Sequence, residues 1–189
     1  FDFDVVLLPT HGSEGLAGNL LGGVTEKVIR LSSVPVLTAR MEPDETLEFP
    51  YERILVATDG SESARAASEH AIDLAQALDA ELHVLSVVEA GPAPGAAVLE
   101  DEEERAATEA VEAVESMAAA AGLESVTSHI EQGSPSDLIQ TTVGDVDAQA
   151  VVLGATGKGR IERILLGSVA EKAVRTVSVP VITVRREAR

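Results

Sequence analysis

The chain has 189 residues, 45% of them hydrophobic, enough for one ordinary globular domain with its own core and some material left over. It carries 32 acidic against 14 basic residues, a net charge of -18, and its only lysines are Lys27, Lys158 and Lys172; such a surface repels a polyanion, which excludes a generic nucleic-acid binder. It has no cysteine, hence no disulfide framework and no thiolate zinc site, and no apolar run approaches the roughly 18 residues that span a membrane.

The first stretch of interest is a repeat. Shifted by 145 residues against itself, the chain aligns Val5 to Arg40 with Ala150 to Arg185, and 16 of the 36 positions are identical. "LLGGVTEKVIR" matches "LLGSVAEKAVR", and "SVPVLTAR" matches "SVPVITVR". Residues 1–40 therefore read as the tail of a unit whose front end is absent, and a start at Phe1 instead of Met leads us to expect residues upstream. "MEPDETLEFP", residues 41–50, is acidic, contains two prolines and has no period, so it reads as a linker. Residues 51–189 read as the complete domain.

Within that domain Arg53 to Asp59 is a β-branched run bounded by Gly60, as expected of a buried strand. Ser61 to Leu78 follows as an Ala-rich helix and Glu81 to Val88 as a second strand. "AGPAPGAA", Ala90 to Ala97, reads as a loop. Leu99 to Ala121 is a long Ala and Glu helix closed by Gly122 in a left-handed cap. Val126 to Gln132 is the third strand, after which Ser134 is expected to cap a helix that has Pro135 in its first turn. Gln149 to Leu153 is the fourth strand, Ile161 to Thr176 the fourth helix and Val179 to Arg185 the fifth strand. The fold class this predicts is α/β: an open five-stranded parallel sheet with helices on both faces, Rossmann-like, plus a C-terminal fragment of a second such unit.

In sheets of this kind ligands bind beyond the carboxyl ends of the strands, where strand order reverses. Asp59 and Gly60, Val87, and the glycines after Leu153 all stand at such ends, and they share one crevice if the first and fourth strands are neighbours. The sequence does not fix that relation. A Walker A loop fails because Gly157-Lys158 is followed by Gly159, and a dinucleotide fingerprint fails because Glu162 stands where its third glycine belongs. What survives is Gly154-x2-Gly157-x9-Gly167-Ser168. Glycine lets backbone approach an oxyanion and expose N–H donors, and Ser168 adds a hydroxyl. Lys158, Arg160 and Arg163 lie in the excursion between the glycines.

This pattern resembles the ATP-binding signature of the universal stress protein family. "RILVATDGSESA" at Arg53 to Ala64 is similar to the family's opening strand and turn, and "SVPVITV" at Ser178 to Val184 to its closing strand. The resemblance covers Tyr51 to Arg186 and, in the first copy, Asp4 to Arg40. It implies an adenine nucleotide alpha hydrolase-like fold with ATP as ligand, accompanied by Mg²⁺ or Mn²⁺. Carried over by position, it implies Asp59 and Val87 beside adenine, Leu153 and Gly154 near ribose, and Gly157, Gly167, Ser168 and Val169 at the phosphates. It also implies a dimer or pseudo-dimer in which closing strands pair antiparallel, so Val34 to Arg40 is expected against Val179 to Arg185 of this chain or of another. In the first copy Pro9 replaces the first glycine and Gly23 the serine, so no nucleotide site is expected there. That a copy with Pro9 and Gly23 keeps the helix and strand pattern makes phosphate binding, not folding, the expected reason for Gly154 and Ser168.

Other candidates are weaker. The run Glu100 to Glu104 is a first-turn acidic cluster that favours the helix dipole and faces solvent. His11, His70, His83 and His129 have no metal-ligand spacing. Ser61 and Ser63 lack a nucleophile elbow and read as helix-capping residues. One Asp without a defined base does not make an ATPase. Abundant Asp, Glu and Ala with scarce Lys point to a cytoplasmic protein adapted to high salt, where the Debye length is about 3 Å at molar ionic strength and nearby donors decide whether an anion binds. The function expected is an ATP-binding regulatory protein of the stress response with no catalytic residue, forming a homodimer or higher homo-oligomer, with neither nucleic acid nor membrane as partner. The alternatives are an interaction protein with an empty crevice and a slow ATPase or nucleotide-transferring enzyme.

Overall fold

The computed structural model describes residues 4–10, 22–39, 49–89, 97–157 and 166–185, with backbone only for 97–100. The first copy of the repeat contributes β1 (Val6–Pro9), α1 (Gly23–Leu31) and β2 (Val36–Ala39). The second unit contributes β3 (Arg53–Ala57), α2 (Glu62–Leu78), β4 (Glu81–Val88), α3 (Ala97–Ala121), β5 (Val126–Gln132), α4 (Pro135–Asp145), β6 (Ala150–Gly154), α5 (Ser168–Thr176) and β7 (Val181–Val184).

All described strands join one seven-stranded sheet in the order β1-β2-β7-β6-β3-β4-β5. Every neighbouring pair is parallel except β2 and β7, which are antiparallel. The strands of the first copy extend the sheet of the second unit, and the closing strands meet inside one chain. β3 lies between β6 and β4, with Ala57 opposite Leu153 on one side and Leu85 on the other. Strand order reverses between β3 and β6, which supplies the neighbour relation the sequence left open.

Buried on both faces, the central strands need two cores. On one face Ile54, Val56, Leu82, Val84 and Val152 pack with Ala67, Ala71 and Ala75 of α2 and with Val114 and Ala118 of α3. The alanine stripe of α2 lets that helix sit close on the sheet. On the other face Leu55, Leu85, Val151 and Leu153 pack with Ile139 and Val143 of α4 and with Ala173 and Val174 of α5. Ile29 and Val36 of the first copy belong to this same core. Burying a Leu, Val or Ile side chain of this kind stabilises by about 1.5–3 kcal/mol.

Local signals held at most ends. Ser61 caps α2 by accepting from the Ala64 amide at 3.2 Å. Gly122 closes α3 at φ +83°, with the Leu123 amide returning to Ala118 O at 2.9 Å. Two expectations are corrected. Ser134 stands at the cap position of α4 but its side chain makes no capping bond; its hydroxyl lies 3.4 Å from that of Ser136 and also bonds the Asp137 carboxylate. The single helix expected over Ile161 to Thr176 is interrupted: α5 starts at Ser168, since Gly167 is extended (φ -65°, ψ 143°) and its amide turns back to Ala155 O at 2.8 Å. Residues 158–165 lie outside the described residues, as does the loop over 90–96.

Candidate functional site

The carboxyl ends of β3, β4 and β6 open onto a cavity of about 480 Å³, within the range of small-molecule sites. Asp59, Val87, Leu153, Gly154, Gly157, Gly167, Ser168 and Val169 all line it. Each arrives by a different local route. Asp59 follows β3 in a turn in which its Oδ1 accepts from the Ser61 amide at 2.9 Å, and Gly60 takes φ +75° to complete that turn. Val87 sits near the end of β4, and Leu153 with Gly154 at the end of β6.

The glycines differ in what demands them. A Cβ on Gly154 would stand 2.8 Å from Ala64 N and from Ser63 C, and 2.9 Å from Ser63 Oγ. Backbone of the first turn of α2 is pressed against this position, so packing alone forbids a side chain there. This corrects the expectation that phosphate binding is the better reason for Gly154. Pro9, its counterpart, is solvent-exposed, so its tolerance says little about the enclosed position 154. A Cβ on Gly157 would meet Asp59 Oδ2 at 3.1 Å, and one on Gly167 would meet Ala155 O at 3.3 Å. The bond between the Gly167 amide and Ala155 O closes the excursion, returning the chain to the strand end it left.

α5 starts at this point. Its first intrahelical bond runs from the Glu171 amide to Gly167 O at 2.8 Å, so the amides of Ser168, Val169 and Ala170 precede any intrahelical partner and gather the positive end of the helix dipole. Ser168 itself is exposed. An anion at the cavity wall would meet these donors.

Three carboxylates also line the cavity, Asp59, Glu89 and Glu103, and among the described lining residues there is no lysine or arginine. Glu89 and Glu103 are not among the site residues expected from the sequence. Glu89 directly follows β4, a position at a strand end that marks it; Glu103 was read as solvated, and only the course of α3 above the sheet brings it, with Ala106 and Ala107, to the cavity. Lys158, Arg160 and Arg163 lie outside the described residues.

Behind the cavity, Ser63 does not cap α2. It is 5% exposed; its hydroxyl donates to Val184 O at 3.3 Å and accepts from the Thr156 amide at 3.3 Å. Away from the cavity, His83 Nδ1 and His129 Nε2 are 3.1 Å apart, with Glu81 Oε1 3.6 Å from His83 Nε2. Burial holds the His83 imidazolium below the usual histidine range, against the opposing pull of Glu81; His129 and Arg53 add to the lowering. Among the described residues no three His, Asp or Glu side chains form a group able to hold a metal ion, and no helix is long and apolar enough to cross a membrane.

A model of the universal stress protein family matches residues 1–40 and 50–185. A universal stress protein of Methanocaldococcus jannaschii is 34% identical over 146 residues, which cover 72% of this chain and 83% of that protein. A universal stress protein structure from Archaeoglobus fulgidus is 28% identical with a TM-score of 0.67; the match covers 97% of this chain and 61% of that one, so this chain spans less than two thirds of its length. A universal stress protein crystallised in complex with cAMP is 28% identical with a TM-score of 0.58, covering 71% of this chain and 97% of that one.

Proposed function

Because this chain belongs to the universal stress protein family, we propose that its crevice holds an adenine nucleotide and that the protein is a cytoplasmic regulatory module whose state follows nucleotide occupancy. The observation that carries the reading is the convergence of Asp59, Val87, Leu153, Gly154, Gly157, Gly167, Ser168 and Val169 on one cavity at the reversal of strand order, with the start of α5 in its wall. Adenine lies against Val87 and Asp59 and ribose beside Leu153 and Gly154. The phosphates take the amides around Gly157, Gly167, Ser168 and Val169. The cAMP complex of a relative supports an adenine nucleotide as the ligand class, and ATP is the form proposed here.

The three lining carboxylates do not suit a naked triphosphate, and no preformed metal group lies among the described residues. Mg²⁺ or Mn²⁺ would suit oxygen donors of this kind, and Asp59, the carboxylate nearest to Gly157, would hold it beside the phosphates. When bound, the ion supplies charge neutralisation. The protein's own residues orient the nucleotide and shield it, and any turnover stays below roughly 1 per second.

The first copy takes part as half of a pseudo-dimer, its β2 occupying the edge of β7 that a second subunit would otherwise take. The packing demand at Gly154 favours one other reading, an interaction protein whose crevice stays empty. Thermal unfolding in molar KCl separates the two: a ligand at 100 times its Kd adds about 2.7 kcal/mol to stability. A rise in Tm with ATP supports binding, and an unchanged Tm at saturating ATP supports the empty crevice.

A further inference from the structure

We propose that Ser63 is a positioning residue for the phosphate side of the crevice, acting from behind the wall without touching the ligand; the inference rests on the nucleotide reading above. Ser63 is buried in the first turn of α2. Its hydroxyl accepts from the Thr156 amide and donates to Val184 O, both at 3.3 Å. The same carbonyl accepts from the Ala155 amide at 2.8 Å, and Ala155 O accepts from the Gly167 amide at 2.8 Å.

One connected set of bonds thus runs from the end of β7 through Ser63 and residues 155–156 to Gly167, where α5 begins. Thr156 and Gly157 lie in the cavity wall at this turn. A Cβ on Gly154 would stand 2.9 Å from Ser63 Oγ, so the serine hydroxyl fills the space that glycine leaves. Ser63 and Gly154 are a matched pair: the glycine admits the hydroxyl, and the hydroxyl fixes the turn after the glycine. Removing the hydroxyl takes the partner from the Thr156 amide and one of two donors from Val184 O, and so releases the turn that aims the phosphate donors. Val87, on β4, makes no part of this set of bonds.

The test compares Ser63→Ala with Ser61→Ala, which removes the cap of the same helix without touching the turn at 155–157. ATP affinity by calorimetry and the urea midpoint are measured for both and for wild type. We expect Ser63→Ala to weaken ATP roughly fivefold to tenfold, as loss of the hydrogen bond that holds the Thr156 amide predicts, while Ser61→Ala lowers the midpoint and leaves ATP affinity unchanged. Equal effects of the two variants on affinity, or no effect of Ser63→Ala, overturn the positioning role. If wild type itself does not bind ATP, the nucleotide reading fails first and takes the inference with it. Should Ser63→Ala not fold, Ser63→Cys, which refills the space the hydroxyl leaves and weakens the bond, is read by the same criteria.

Discussion

Leu37 and Ile182 are paired across the antiparallel seam between β2 and β7, and they are also each other's counterparts in the internal repeat, 145 residues apart. The flanking pairs, Val36 with Thr183 and Thr38 with Val181, exchange under the same shift. A local two-fold axis therefore passes through the Leu37–Ile182 pair, and one chain contains an interface built as two identical subunits build theirs. The two threonines complete the symmetry: Thr38 Oγ1 donates to Val181 O at 3.1 Å, and Thr183 Oγ1 to Val36 O at 3.3 Å.

That symmetry predicts equal costs. Thr38→Val and Thr183→Val each keep side-chain volume and lose one buried hydrogen bond, at about 1 kcal/mol apiece. Urea unfolding of the two variants should give matching losses. A loss at one site with none at the other would mean that the two halves of the seam are not equivalent.

Gly154→Ala is expected to destabilise the protein by about 1–3 kcal/mol, the usual range for overpacking, with no ligand present. The added methyl meets backbone of α2, which cannot swing aside as a flexible side chain can. Pro9→Ala, at an exposed position, should change stability little. A variant Gly154→Ala of wild-type stability that had lost ATP binding would return the glycine to the phosphate role first expected of it.

Acid should weaken the fold through His83. Burial lowers its folded-state pKa below the unfolded value of about 6.5, so the unfolded chain takes up a proton first. The stability this group contributes is present above pH ~6.5 and is lost as pH falls through its folded value. The groups facing it are Glu81 on its own strand, His129 on β5 and Arg53 on β3. His70, also lowered by burial against the pull of Asp73, acts in the same direction. His83→Gln should flatten the pH dependence of the urea midpoint below neutrality; an unaltered slope would place the acid sensitivity elsewhere.

Much of this was legible from local pattern. β4 and β5 have the bounds read from their β-branched runs, and Gly122 has the left-handed φ expected of it, because strand propensity and a glycine cap are decided within a few residues. The adjacency of β3 and β6 was not legible, since pairing between Ala57 and Leu153 is a tertiary choice. Glu103 escaped notice for the same reason: on its own helix it is one exposed acid among several, and only the placement of α3 makes it part of a wall. Ser63 and Gly154 show a subtler limit. Each residue type was read correctly as special, but the reasons assigned, a cap and a phosphate, were local ones, whereas the structure ties the two residues to each other.

The central claim is that the crevice binds an adenine nucleotide through the turn closed by Gly167. Calorimetry with ATP and Mg²⁺ in molar KCl, on wild type and on Gly167→Val, tests it most directly, because a side chain there runs into Ala155 O and the turn behind it. Saturable heat is expected for the wild type and none for the variant. Absence of heat from the wild type, or equal binding by both proteins, would contradict it.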